Sequence, residues 1–117
     1  MSVVEIYNEQ IRDLLPKKGS STPLLVKLRD NAEGETVSNE RLKTVRSREE
    51  ALQYLRQACL NRAVGVTAAN EQSSRSHFIF TIHVSWRHSL SKVRFTGKIN
   101  LIDLAGSERL LKSYFDQ

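Results

Sequence analysis

The residues from His77 to Arg87, HFIFTIHVSWR, alternate apolar and polar side chains with a period of two. Phe78, Phe80, Ile82, Val84 and Trp86 fall on one side, which fits a half-buried strand and excludes a helix, whose apolar positions recur every three or four residues. His88 to Lys92 is polar and turn-like, and Val93 to Leu104 reads as a second strand. It closes in the apolar run Ile99-Asn100-Leu101-Ile102, which meets Asp103. Together these segments predict a β-hairpin over 77–102, the feature to which the rest of the fold must be fitted.

The remainder mixes both element types. Ser2 to Tyr7 (SVVEIY) is a strand rich in β-branched residues, and Ile11, Leu14 and Leu15 suggest a short helical turn, completing a strand-and-turn unit over 2–15. Pro16 ends that turn, and 16–23 is a polar loop bounded by two prolines. Leu24 to Leu28 reads as a strand, with a turn at Asp30 to Gly34 and weaker extended chain from Thr36 to Val45. A helix over 47–64 opens at Ser47-Arg48-Glu49-Glu50, a capping box whose Ser hydroxyl and Glu carboxylate satisfy backbone N–H groups left over at the first turn. Leu52, Leu55, Cys59 and Ala63 give that helix one apolar stripe, on which Cys59 reads as a small buried hydrophobe. Gly65 marks where it stops.

The 117 residues suffice for one core and hardly for two domains. No apolar run approaches the ~20 residues that cross a bilayer, and no secretory segment follows Met1. A single Cys excludes an internal disulfide framework, and without C-x-x-C pairs or paired histidines there is no zinc site; a reducing compartment fits. Gly106-Ser107 lacks the second glycine of a hydrolase nucleophile elbow. The charge is uneven. Between Gln72 and Ile102 there is no acid, while Arg75, Arg87, Lys92, Arg94 and Lys98 supply five cations. Elsewhere thirteen cations match thirteen acids, so the whole excess of +5 sits in this window. It suits an anionic partner, or simply a solvated hairpin face.

Two polar constellations flank the hairpin. Asp103-Leu104-Ala105-Gly106 sets a carboxylate at the end of an apolar strand and a glycine three residues on. Nucleotidases use this layout around magnesium, although strands also end in Asp because Asp makes good turns. Asn70-Glu71-Gln72-Ser73-Ser74-Arg75-Ser76-His77 offers hydroxyls and a guanidinium for phosphate oxygens and metal, or makes a polar turn. Taken together, N-x-x-S-S-R-S-H and D-L-A-G-S-E resemble the switch I (70–77) and switch II (103–108) motifs of the kinesin motor domain. The opening VVEIYNEQIRDLL and the helix ending NRAVGVTAAN are similar to the family as well. Myosins share part of the pattern, but His77 and Ser107 favour kinesin.

The resemblance covers the chain up to Lys112 and implies an α/β fold: an incomplete piece of the P-loop-NTPase-like kinesin motor, with a central mixed β-sheet flanked by helices. It implies ATP and Mg2+ as cofactors in the complete parent domain. Ser73 and Ser74 would contact the γ-phosphate, the attacking water and the magnesium sphere, and Asn70 would help close the loop on the nucleotide. Asp103 would hold magnesium through water, Gly106 N–H would sense the γ-phosphate, and Arg75 with Glu108 would form the ion pair that shuts when both switches close. Microtubules (tubulin) would be the partner, reached partly through an extended region over 24–46 with Lys27, Arg29, Arg41, Lys43 and Arg46 facing an acidic surface. That places the parent on the cytoplasmic cytoskeleton, with no membrane contact.

The chain departs from the family in one respect that bears on activity. No G-x-x-x-x-G-K-[S/T] occurs, so the backbone cradle for the β- and γ-phosphates is missing, and the chain alone is expected to turn over little or no ATP. The tail at 113–117 diverges, and strands that belong inside a sheet are expected to expose open edges. A non-catalytic microtubule-binding module with relic switch loops is the alternative reading. A nucleic-acid-binding domain built on the acid-free window is a third, less favoured one.

Overall fold

A computed structural model describes residues 1–15, 24–64 and 75–106, the side chains at 63 and 64 excepted. The expected loop at 16–23, the helix stop at Gly65, positions 70–74 and the tail at 113–117 lie outside the described residues.

The strands are β1 (Ser2–Tyr7), β2 (Gln10–Asp13), β3 (Leu24–Val26), β4 (Leu28–Asp30), β5 (Thr36–Ser38), β6 (His77–Arg87) and β7 (Arg94–Asp103), with one helix, α1 (Arg48–Val64), between β5 and β6. Five strands form a sheet in the order β3-β2-β1-β6-β7, and β4 and β5 form a separate ribbon. Every pairing among the described strands of the larger sheet is antiparallel. The long hairpin is present, in register from Phe78↔Asp103 to Arg87↔Arg94.

The expected helical turn through Ile11 is instead β2, paired from Tyr7↔Gln10 to Val4↔Asp13. Asn8 and Glu9 both take positive φ, 49° and 61°, which makes the tight two-residue turn whose twist matches an antiparallel pair. Asn-Glu hides the Asn-Gly signature of such a turn. The expected strand over Leu24 to Leu28 breaks at Lys27, whose backbone N–H is taken by Asn39 Oδ1 at 2.7 Å. The turn that follows closes around Asn31, whose Oδ1 accepts from Glu33 N and Glu35 N, with Gly34 at φ +78°.

The capping box at α1 forms with a shift of one residue. Ser47 Oγ accepts from Glu50 N at 3.1 Å, and the Glu50 carboxylate reaches back to Arg46 N at 2.8 Å. The face of α1 turned to the core also differs from the expected stripe. Met1, Val3, Leu14, Leu15 and Ala58 form the buried cluster, with Val45, Ala51, Tyr54, Phe78 and Phe80 packed on it. Ala51, Tyr54 and Ala58 are thus the inward positions, rotated by about one residue from Leu52, Leu55 and Cys59. Cys59 lies off this inward face and is exposed rather than buried.

Buried polar contacts fasten the extended chain after β5. Asp13, only 1% exposed, accepts from Leu15 N at 2.9 Å and Arg41 N at 2.7 Å. Arg41 Nη1 donates to Leu15 O at 2.9 Å, and Lys43 N donates to Met1 O at 2.8 Å. Two cations expected on an outward surface therefore face inward, since Lys43 Nζ also sits 5.9 Å from the centre of the Tyr54 ring. At the opposite margin β7 is the edge of the sheet among the described residues. Ile99, Leu101 and Ile102 on it are each about half exposed.

Candidate functional site

Pairing of β1 with β6 and of β6 with β7 puts Val3, Glu5, Phe78, Phe80 and Asp103 on the face that α1 covers, because directly paired residues share a face. The start of β6 and the end of β7 therefore coincide. Phe78, two residues after Ser76, is the register partner of Asp103. Ser76 and His77 close one polar segment of the sequence, and Asp103 opens the other, so the sheet brings the two segments together at one end.

Three contacts join them. Ala105 N donates to His77 Nδ1 at 2.9 Å, which tethers the loop after β7 to the entry of β6. From α1, Arg62 Nη2 donates to Ser76 Oγ at 2.9 Å, and Arg62 Nη1 lies 3.8 Å from Asp103 Oδ2. The same guanidinium has its Nε 3.6 Å from Glu5 Oε1 and lies 5.1 Å over the centre of the Phe78 ring. Ser76 and Glu5 are buried, whereas the Asp103 side chain is 77% exposed. A buried carboxylate on β1 thus faces an arginine whose other end approaches an exposed carboxylate, both pairings being longer than a hydrogen bond.

Of the residues singled out from sequence, Asp103, Gly106 and Arg75 are described. Asp103 stands at the end of β7 with its carboxylate open to solvent, Gly106 follows it partly covered, and Arg75 is exposed. Asn70, Ser73, Ser74 and Glu108 lie outside the described residues, and with Glu108 goes the expected Arg75–Glu108 pair. Sequence reasoning missed Arg62 and Glu5. The signal was present: an acid in the middle of an apolar strand, and an arginine four residues beyond Ala58 on the inward side of the helix.

Beside Arg62 and Asp103 opens a cavity of about 400 Å³, lined also by Leu55, Cys59, Phe80 and Leu101. No cluster of three or more His, Cys, Asp or Glu side chains that could hold a metal ion occurs among the described residues. A lone exposed carboxylate at a strand end suits a cation that keeps its water shell, as Mg2+ does, and does not suit a fully protein-ligated metal. The donor set present is thus compatible with the magnesium expected from sequence. Among the described residues no helix is long and apolar enough to cross a membrane.

The fold defines an α/β domain in which residues 76–77 and 103–105 meet at one end of a sheet. The sequence model of the kinesin motor domain matches residues 1–116. Kinesin-like protein KIN-14F of Arabidopsis thaliana is 43% identical over 97% of this chain, and kinesin-like protein KIFC1 of Cricetulus griseus is 44% identical over 93%. The chain spans 10% and 18% of those proteins' lengths. A solved structure described as a fast kinesin superposes with a TM-score of 0.75 at 33% identity, covering 96% of this chain and 31% of that one. This chain belongs to the kinesin motor domain family.

Proposed function

We propose that this chain carries the switch half of a kinesin nucleotide site, and that in a complete motor it serves Mg2+-dependent ATP hydrolysis coupled to movement along microtubules. The observation that carries this reading is the meeting of residues 76–77 with residues 103–105, through the Ala105–His77 bond and Arg62, within a family match that spans the chain.

In this reading Asp103 orients the water shell of the magnesium, and Ser73 and Ser74 supply hydroxyls to the metal sphere and the γ-phosphate. Asn70 helps to enclose the nucleotide. The Gly106 amide meets the γ-phosphate where a side chain would block the approach. Arg75 and Glu108 pair as the two loops close and part when phosphate leaves, which passes the change on to the microtubule-facing side. Bound Mg·ATP supplies the phosphoryl group and the charge that these residues are arranged to meet. The absence of a G-x-x-x-x-G-K-[S/T] loop within the sequence leaves the other phosphate contacts to a segment that this chain does not supply, so the isolated chain turns over little ATP. The complete protein works on the microtubule cytoskeleton.

Segment exchange tests this. Residues 1–112 replace the matching stretch of the Cricetulus griseus KIFC1 motor, and microtubule-stimulated ATPase is measured. The reading expects a folded, active chimera that loses stimulated activity on Asp103→Asn or Ser74→Ala. A folded chimera that pellets with microtubules regardless of nucleotide and never hydrolyses ATP supports the relic module instead.

A further inference from the structure

β1 accompanies β6 only from His77 to Thr81, so from Ile82↔Ile99 to Arg87↔Arg94 the hairpin runs on with no further described strand beside it. At its tip Leu90 is 86% exposed, Ser91 is exposed, and Lys92 takes a φ of 59°. Two backbone bonds close the turn, from His88 N to Val93 O at 2.9 Å and from Lys92 N to His88 O at 3.0 Å. Within it Ser91 Oγ lies 3.2 Å from His88 Nδ1 and accepts from Val93 N at 3.4 Å. The run from Arg87 reads Arg-His-Ser-Leu-Ser-Lys-Val-Arg, with cations on both sides of Ser91. We propose that Ser91 is a phosphorylation site for a serine kinase that selects basic sequences, and that His88 and the Val93 amide hold the phosphate in place.

Kinases discriminate substrates by the charge pattern around the acceptor, and an acidic substrate cleft meets no repulsion here, because no Asp or Glu occurs between Gln72 and Ile102. The chain must also come free of its own structure. At this tip that means opening two backbone bonds at the end of a ribbon, the kind of local opening that leaves the body of a sheet intact. Other hydroxyls beside cations are worse placed. Ser47 lies between Arg46 and Arg48, but its oxygen already accepts from Glu50 N, and Glu49 and Glu50 follow it closely. Thr96 stands inside the β6–β7 ladder opposite Ser85. In the step itself Ser91 Oγ attacks the γ-phosphorus of ATP held by the kinase, and the new O–P bond forms as the bond to the β,γ-bridging oxygen breaks. ADP leaves with that electron pair, and the hydroxyl proton passes to the kinase's catalytic carboxylate. The turn then suits the product. Nδ1 of His88 accepts from Ser91 N at 3.2 Å in the unmodified chain, whereas phosphate oxygens only accept, so the ring turns donor and the Ser91 and Val93 amides stay within reach as further donors. The added charge of about −2 offsets two of the five cations in the acid-free window, so the modification orders the tip and discharges it together.

Nothing in this proposal rests on the nucleotide reading, and the test uses the 117-residue chain alone. The chain is incubated with ATP, Mg2+ and the catalytic domains of protein kinases A and C in turn, and the modified residue is located by mass spectrometry. Phosphate is expected on Ser91 with at least one of the two, to be lost in Ser91→Ala and kept in Ser89→Ala. The double variant K92Q/R94Q is expected to lower the initial rate about tenfold. Exchange of the Val93 amide is expected to slow about threefold in the phosphorylated chain. Absence of phosphate with both kinases, its placement chiefly on Ser89 or Ser47, or a rate that ignores K92Q/R94Q overturns the site. A Val93 amide that exchanges no more slowly after modification overturns the holding role of the turn.

Discussion

The Ala105 amide donates to Nδ1 of His77 across 2.9 Å, joining residues that stand 28 apart in sequence. A ring nitrogen that accepts a hydrogen bond carries no proton, so the bond fixes the histidine with its hydrogen on Nε2. The entry of β6 and the exit of β7 are therefore held by a side chain as well as by the sheet ladder. His77→Ala is expected to speed exchange of the Ala105 amide about threefold to tenfold, the worth of one ordinary hydrogen bond, with little change at the far end of the hairpin. An unchanged Ala105 rate would show that the ladder alone sets the loop.

Asp13 holds two segments at once, through Leu15 N and Arg41 N, from a nearly sealed position. Asp13→Ala leaves both N–H groups without their acceptor and is expected to cost about 3 kcal/mol in urea unfolding. The m-value should stay the same. A loss below ~1 kcal/mol would mean that water replaces the carboxylate.

Glu9 occupies a left-handed position, φ 61°, that disfavours any residue bearing a Cβ. Glu9→Gly is expected to stabilise the chain by about 1 kcal/mol, read as a higher urea midpoint. Destabilisation would show that the β1–β2 turn tolerates the strain through contacts of the Glu9 side chain.

Arg87 and Arg94 face each other directly across β6 and β7, two cations in one cross-strand pair. Arg94→Glu converts repulsion into attraction and is expected to add about 0.5 kcal/mol, an effect that fades as salt rises. A gain that salt does not touch would have another cause.

Much of the fold was legible because period-two alternation in β6 and the capping box at Ser47 are strong local signals. Two misreadings share a physical origin in tertiary context. At Asn8-Glu9 the turn tolerates a residue that statistics disfavour, and the following I-x-x-L-L spacing imitates a helix. On α1 the apolar side chains at 52, 55 and 59 suggested the inward stripe, but the core is met by Ala51, Tyr54 and Ala58, one position round the helix. In the candidate site Asp103 and Gly106 were legible through their motif. Arg62 and Glu5 each left a trace, a charge among apolar positions, but only the packing of α1 on β1 makes them partners.

Paramagnetic relaxation by Mn2+ bound to a slowly hydrolysed ATP analogue tests the central claim most directly. At saturating concentrations the amides of Ser73, Ser74, Asp103 and Gly106 should broaden together, while Lys92 at the hairpin tip stays sharp. Broadening spread evenly over the chain, or confined to one of the two loops, would contradict a shared triphosphate site.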